Sequence, residues 1–185
     1  MAEQIQAVGM IEFNSIAAGI EAADQMVKAA QVEPLMLKTI CPGKFVVAVH
    51  ATVSAVQSAL EAGLATAPDA VVDHFLIPNL DTQVVSALAG AVALPPGGAL
   101  GVIETFSAAA AIVAADTAAK AAQVVVWDIR LAMGLGGKAF CLLGGQVGAV
   151  EQAVEAGSRQ AADKGLLVRR LVIPNLAPEV LAHIG

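Results

Sequence analysis

The stretch Val8-Gly9-Met10-Ile11-Glu12 returns as Leu100-Gly101-Val102-Ile103-Glu104. Further matches follow in the same order along nearly the whole chain: Ala23-Asp24 with Ala115-Asp116, Lys28 with Lys120, Gly43-Lys44 with Gly137-Lys138, and Ile77-Pro78-Asn79-Leu80 with Ile173-Pro174-Asn175-Leu176. A period of about ninety residues is too long for a solenoid unit and matches the size of a small domain. The sequence therefore predicts a tandem duplication of one complete fold.

The second copy is slightly longer than the first, because the spacing between equivalent residues grows in two steps. One step falls between Val32 and Gly43, and the other between Ala59 and Ile77, in the numbering of the first copy. We predict two small insertions in the second copy, one in each of two loops.

Each copy has the pattern strand, helix, strand, strand, helix, strand and short helix. In the first copy, hydrophobic periodicity, capping residues and turn residues predict these elements at 5–13, 16–31, 34–40, 44–50, 53–63, 71–77 and 81–88. Strands and helices of these lengths predict an α/β fold. Each copy should be an α+β sandwich with helices packed on an antiparallel or mixed four-stranded sheet. We assign residues 1–92 to a first domain, 93–97 to a Pro/Gly linker and 98–185 to a second domain.

The composition restricts the classes of partner. The chain is 57% hydrophobic, but it has no apolar run of the roughly 18 to 20 residues that a membrane span needs. We therefore expect the surplus apolar surface to be buried between subunits. A net charge of −6 with ten Lys plus Arg argues against nucleic-acid binding. The N-terminus shows no secretion signal, which indicates a cytosolic protein.

Several separated segments resemble the shell-protein domain of bacterial microcompartments: Gly9–Glu12, Ala22–Val32 and Val53–Gly63, each matched again in the second copy. Both copies begin with the Gly-x-Ile-Glu strand, so their order is similar to the standard order of that family and not to its circularly permuted variant. The resemblance implies a homotrimer of six domains. This pseudohexameric tile would pack with other shell proteins into a polyhedral shell in the bacterial cytoplasm.

The segment Lys38–Phe45 resembles the iron–sulfur-binding tandem members of propanediol-utilisation microcompartments. This likeness implies that Cys41 from each of three subunits binds one shared [4Fe–4S] cluster at a central pore. The cluster would transfer electrons or sense redox state across the shell, with encapsulated redox enzymes as candidate partners. The implied pore-lining residues are Ile40, Pro42, Gly43, Met133, Gly134, Leu135, Gly136 and Gly137.

Read from its neighbours alone, Cys41 lies in a Pro/Gly turn between Lys38 and Lys44. Exposure and positive charge there would favour the thiolate. One cysteine cannot hold a cluster, whereas three-fold symmetry supplies three thiolates. The alternative is an incidental loop cysteine. Cys141, within the apolar strand Phe140–Leu143, is predicted to be a core residue without chemistry.

Lys28 and Lys120 resemble the lysines that family members use at tile edges. Asn79 and Asn175 are the implied partners at those edges, but they depart from the family pattern. They lie in Ile-Pro-Asn-Leu segments, whereas many members have Ile-Pro-Arg-Pro. This departure leaves room for a minor or adaptor tile.

Other chemistries find little support in the sequence. Gly134–Lys138 lacks the spacing and the Ser or Thr of a phosphate-binding loop. His50, His74 and His183 are dispersed, and Glu12 and Glu104 are interpreted as structural hydrogen-bonding groups. We therefore predict a non-enzymatic protein. Two alternatives remain: a tile with a cluster-free pore for small metabolites, and a trimeric regulatory protein that binds a small ligand.

Overall fold

A computed structural model describes residues 6–90, 92 and 97–184. The first half contains β1 (Ala7–Phe13), α1 (Ile16–Ala29), β2 (Glu33–Ile40), β3 (Lys44–Ala51), α2 (Val53–Thr66), β4 (Val71–Pro78) and α3 (Thr82–Leu88). The second half contains β5 (Ala99–Thr105), α4 (Ala108–Ala121), β6 (Val125–Leu131), β7 (Ala139–Gly145), α5 (Val147–Asp163), β8 (Leu167–Ile173) and α6 (Pro178–Ile184). The predicted order of elements is confirmed in both halves.

Each half forms a four-stranded antiparallel sheet. The strand orders are β2-β3-β1-β4 and β6-β7-β5-β8, so the two sheets have the same topology. The registers also repeat: Ile11 pairs with Val47 in the first sheet, and Ile103 pairs with Cys141 in the second. The predicted duplication and α/β sandwich are confirmed, and the sheets are antiparallel throughout their described pairings.

Local signals set the helix starts. Ser15 and Ser107 accept backbone N–H bonds from Ala18 and Ala110 at the N-termini of α1 and α4. Asp81 caps α3 by accepting from the N–H of Gln83. These side chains satisfy N–H groups that the first helical turn leaves without an intrahelical acceptor.

The predicted end of α2 at Gly63 is wrong, since the helix continues to Thr66. Gly63 lies inside the helix at a close contact with α1 and β1. A Cβ there would lie 2.7 Å from Met26 Sδ and 2.8 Å from Ile11 Cδ1. The glycine therefore allows the helices to pack closely and does not act as a stop signal.

The core of the first sheet is formed where α1 and α2 cover one face of it. Phe13, Met26, Val47 and Val56 are fully buried there. Gly9 on β1 allows α2 to approach closely, because a Cβ at this position would lie 2.5 Å from Val56 Cγ1. The first strand of each copy thus needs glycine for helix-on-sheet packing.

The described residues form two compact units. One contains the described residues up to Leu80 together with Ala132–Gly137, and the other contains Asp81–Leu131 and the residues from Lys138 onward. The β6–β7 loop of the second copy is thus grouped with the first sheet, and α3 is grouped with the second sheet. The domain limits 1–92 and 98–185 remain predictions, and the predicted linker lies outside the described residues except for Gly97.

The two predicted insertions are accommodated differently. The first lies in the β6–β7 loop, as expected. The prediction that the second lies wholly in a loop is wrong, because α5 has 17 residues where α2 has 14. The additional residues continue the hydrogen-bonded helix, which then ends before Gly165 at a φ of +69°.

Candidate functional site

Cys41 lies in the turn that joins β2 to β3, with its side chain exposed. Gly43 completes this turn at a φ of +74°, a conformation that L side chains rarely adopt. Ile40, at the end of β2, is buried, so the backbone is anchored immediately before the turn. The turn therefore projects a cysteine from the end of the sheet.

The loop Ala132–Gly137 lies against the Cys41 turn. The N–H of Cys41 donates to the carbonyl of Ala132 over 2.8 Å. A Cβ on Gly137 would lie 2.8 Å from Pro42 Cδ, and the φ of Gly137 is +87°. Glycine at 137 therefore meets two requirements: the backbone φ is positive, and a side chain there would collide with Pro42.

The predicted pore-lining residues differ in exposure. Pro42, Gly43, Met133, Gly134 and Gly136 are exposed, whereas Leu135 is half-buried. Ile40 and Gly137 are buried within the single chain. All eight belong to one compact unit, but their role at a pore remains a prediction.

Cys141 lies in the core of the second unit, as predicted. Its side chain is fully buried on β7. Burial raises the pKa of the Cys141 thiol to about 12, because the thiolate would lose its hydration. The chain therefore carries one exposed and one buried thiol.

An ion pair anchors the strand that follows each turn. Lys44 Nζ lies 2.8 Å from Glu12 Oε1, and the equivalent Lys138 Nζ lies 2.6 Å from Glu104 Oε1. Glu12 is fully buried. The predicted structural role of both glutamates does not include these lysine partners, although the matched lysines of the two copies carried that signal.

This pairing changes the interpretation of the charge around Cys41. Lys44 directs its ammonium group to the Glu12 carboxylate, so its charge is compensated by a buried partner. Lys38 is exposed on β2. The expected positive surroundings of Cys41 therefore depend less on Lys44 than the sequence suggested.

The predicted edge lysines form repeat-related pairs with different surroundings. Lys28 Nζ lies 2.6 Å from Asp24 Oδ2, and both side chains are exposed. Lys120 Nζ lies 2.7 Å from Asp116 Oδ2, where the aspartate is buried and also accepts from the N–H of Asp81. The contact of Asp116 with Asp81 is not predictable from local sequence, because the two residues are 35 positions apart.

Asn79 and Asn175, the other predicted edge residues, are both exposed. Asn79 adopts a φ of +53°, and its N–H donates to the carbonyl of Gln6 over 2.8 Å. Asn79 therefore has a local backbone role. The tile-edge role of both asparagines stays a prediction.

Within the described residues, the histidines and acidic side chains are not brought together as a metal site. In the part of the chain that the structure describes, no group of three or more His, Cys, Asp or Glu side chains is arranged to hold a metal ion. Across residues 6–90, 92 and 97–184, no helix combines the length and apolar character needed to cross a bilayer.

The fold and the site define a class of protein: a duplicated α/β sandwich whose exposed turn cysteine lies beside a glycine-rich loop. The BMC domain model matches residues 7–80 and again 99–176. The chain belongs to the BMC domain family, and it is a bacterial microcompartment shell protein.

Individual relatives agree with this assignment. The chain is 44% identical to the bacterial microcompartment shell protein PduT of Citrobacter freundii over 169 residues, which cover 91% of this chain and 92% of PduT. The carboxysome shell protein CcmK3 of Halothece is 40% identical over 77 residues, covering 40% of this chain and 76% of that protein. A crystal structure of a microcompartment protein from Desulfitobacterium hafniense superposes with a TM-score of 0.82 at 48% identity, covering 96% of this chain and 99% of that one.

These findings settle several predictions. The relatives are structural shell proteins, so the prediction of a non-enzymatic role is confirmed. Family membership places the chain in the microcompartment shell of the bacterial cytoplasm, and it selects the shell protein over the ligand-binding regulatory alternative.

Proposed function

We propose that three copies of this chain form a pseudohexameric shell tile that binds one [4Fe–4S] cluster through the three Cys41 thiolates. The observation that carries the cluster proposal is the contrast between the two cysteines. Cys41 is exposed on a turn, whereas Cys141 is buried in the core. Only Cys41 is therefore available to an external ligand.

The donor set of the chain fits a shared cluster better than a cluster held by one chain. Iron–sulfur clusters are held mainly by cysteine thiolates. One chain offers one accessible thiol, and its described residues contain no other group of metal ligands. Three chains around one axis supply three thiolates and leave one iron for water or another small ligand.

The role of the surrounding residues is to hold the thiol in position. The hydrogen bond from the Cys41 N–H to Ala132 fixes the backbone at the ligand, and the Lys44–Glu12 pair anchors the start of β3. When bound, the cluster would supply one-electron chemistry, for electron transfer or redox sensing across the shell. Encapsulated redox enzymes are the partners that we propose for electron transfer.

The tile would meet neighbouring shell proteins along edges to which we assign Lys28, Lys120, Asn79 and Asn175. Lys28 is the more exposed of the two lysines, and its aspartate partner is also on the surface, whereas Asp116 is buried. This difference supports edges of unequal character, which suits a minor or adaptor tile among other shell proteins.

The first experiment is anaerobic purification of wild type, Cys41→Ala and Cys141→Ala. Each protein is then analysed for iron and sulfide content, for its visible spectrum and for the mass of its assembly in solution. We expect about four irons per three chains in wild type, since one cubane is shared. The iron should be lost in Cys41→Ala and kept in Cys141→Ala, which controls for removal of a thiol.

A colourless, iron-free wild type that is still trimeric would overturn the cluster. It would favour the alternative of a tile with a cluster-free pore for small metabolites. A monomeric wild type would overturn the homotrimer itself.

A further inference from the structure

Met133 occupies the position in the second copy that Cys41 occupies in the first. Thr39 near the end of β2 and Leu131 at the end of β6 pair with equivalent residues of β3 and β7. Cys41 and Met133 each follow two residues later in the chain. Both turns therefore place a sulfur-containing side chain at the same position, although the turn of the second copy is longer.

Ala132 holds the backbone of Met133 beside the Cys41 turn. Ala132 is fully buried, and its φ is +44°. This conformation is sparsely populated by residues with a side chain, and it persists only where the surrounding structure holds it. The carbonyl of Ala132 accepts from the N–H of Cys41 over 2.8 Å, and Met133 is the next residue. Standard bond lengths then keep the Cα atoms of Cys41 and Met133 within about 7 Å of each other.

The Met133 side chain is open to solvent. It is 67% exposed, the highest value among the large apolar side chains in the described part of the chain. Gly134 follows with a φ of +72°, and a Cβ there would meet nothing within 4 Å. The loop therefore fixes the Met133 backbone through Ala132 but leaves room for the side chain to turn toward the Cys41 thiol.

The chemistry of methionine fits a covering role at this position. Its side chain is apolar, unbranched and flexible, so it adapts to irregular surfaces. Three Cys41 thiolates would leave one iron of a cubane without a cysteine ligand. The apolar shell around a metal site controls the access of solvent and thereby the reduction potential. Three exposed methionines, one beside each Cys41 thiol, supply such a shell.

We propose that the Met133 side chains of three copies cover the iron that has no cysteine ligand and restrict the access of water and dioxygen to it. The proposal rests on the proposed cluster and homotrimer, and it assigns the lifetime and the potential of the cluster to one residue. The cover should lower the potential, because the reduced cluster carries one more negative charge and therefore loses more hydration in apolar surroundings.

The test compares Met133→Gln, which keeps the length of the side chain but makes it polar, with Met133→Leu, which keeps it apolar without sulfur. The control is Val53→Gln. Val53 is also exposed, but it starts α2 beyond the far end of β3, roughly 25 Å along that strand from the Cys41 turn. Each protein is loaded with cluster under anaerobic conditions, and its fold and mass are checked by circular dichroism and ultracentrifugation.

The measurements are the rate of iron release to a chelator, the rate of bleaching in air and the midpoint of a reductive titration with dithionite. We expect Met133→Gln to release iron about tenfold faster than wild type, as other losses around a metal site do. It should also bleach faster and have a higher potential. Met133→Leu and Val53→Gln should behave as wild type does. A Met133→Gln trimer that retains no iron, beside a loaded Met133→Leu trimer, would be the extreme form of the same result.

The contrary outcomes separate this proposal from the one on which it rests. A loaded Met133→Gln trimer with wild-type release, bleaching and potential would overturn the cover and leave the cluster intact. A Met133→Leu trimer that loses iron as fast as Met133→Gln would show that the sulfur itself is needed, which also overturns an apolar cover. An iron-free wild type would overturn the cluster and the cover together.

Discussion

The N–H of Cys41 donates to the carbonyl of Ala132 over 2.8 Å, so the turn of the first copy and the glycine-rich loop of the second copy lie against each other in one compact unit. The exposed thiol is thus attached to a backbone that is held from two sides. Because the backbone is already held in place, the Cys41 thiol would lose little conformational freedom on binding a cluster, which favours affinity.

Gly137→Ala should destabilise the protein more than Gly136→Ala. Both residues have positive φ, but only Gly137 has a neighbour within contact distance of a new Cβ, Pro42 Cδ at 2.8 Å. We expect a loss of about 1 kcal/mol for Gly136→Ala from backbone strain and about 2–4 kcal/mol for Gly137→Ala, measured by urea denaturation. Equal losses would show that the contact with Pro42 relaxes without cost.

Lys44→Ala should cost far more stability than Lys138→Ala, although the two lysines are repeat equivalents. Lys44 pairs with a fully buried glutamate, whereas the side chains of Lys138 and Glu104 are 43% and 28% exposed. Removing the ammonium from a buried carboxylate costs about 3–5 kcal/mol, and an exposed pair contributes up to about 1 kcal/mol. Denaturant midpoints of the two variants provide the comparison, and similar midpoints would contradict it.

The two cysteines should differ in reactivity and in their effect on alkaline stability. Burial raises the pKa of Cys141 to about 12, above the value of about 8.5 in an unfolded chain. The neutral buried thiol therefore contributes stability that is present below pH about 8.5 and is lost as the pH rises toward 12.

Thiol labelling and alkaline denaturation check this expectation. One thiol per chain should react in the native apoprotein and two in denaturant, since Cys41 alone is exposed. Cys141→Ala should weaken the alkaline fall in the free energy of unfolding, whereas Cys41→Ala should retain it. Native labelling of both thiols at equal rates would count against a buried Cys141.

Gly157→Ala and Gly148→Ala should have opposite effects within α5. A Cβ at Gly157 would lie 2.5 Å from the backbone oxygen of Ala114, whereas one at Gly148 meets nothing within 4 Å. We expect Gly157→Ala to cost about 1–3 kcal/mol through overpacking of α4 on α5. Gly148→Ala should gain up to about 1 kcal/mol from helix propensity. Thermal unfolding of the two variants separates these effects.

Much of the fold was predictable because its signals are local. Ser15, Ser107 and Asp81 cap helices by bonding within their own first turn. Alternating and continuous apolar runs located the strands within a few residues. The incorrect helix end at Gly63 arose because glycine is both a stop signal and a packing residue, and only the contacts with Met26 and Ile11 separate the two.

The candidate site was predictable in part. The exposed Cys41 and buried Cys141 followed from a Pro/Gly turn and an apolar strand, respectively. The Glu12 partner of Lys44 did not follow, because the two residues are 32 positions apart and meet only through the pairing of β1 with β3. The hydrogen bond between Asp81 and Asp116 did not follow either, because these residues are also far apart in the sequence.

The sequence by itself determined the duplication, the order of elements and the family resemblance, because these are carried by repeated residues and short-range periodicity. The tertiary structure alone decided that Ala132–Gly137 lies with the Cys41 turn, that α3 lies along β6, and that β2 remains open. The physical reason is that equivalent segments of two copies acquire different environments only when long-range packing determines which surfaces are buried.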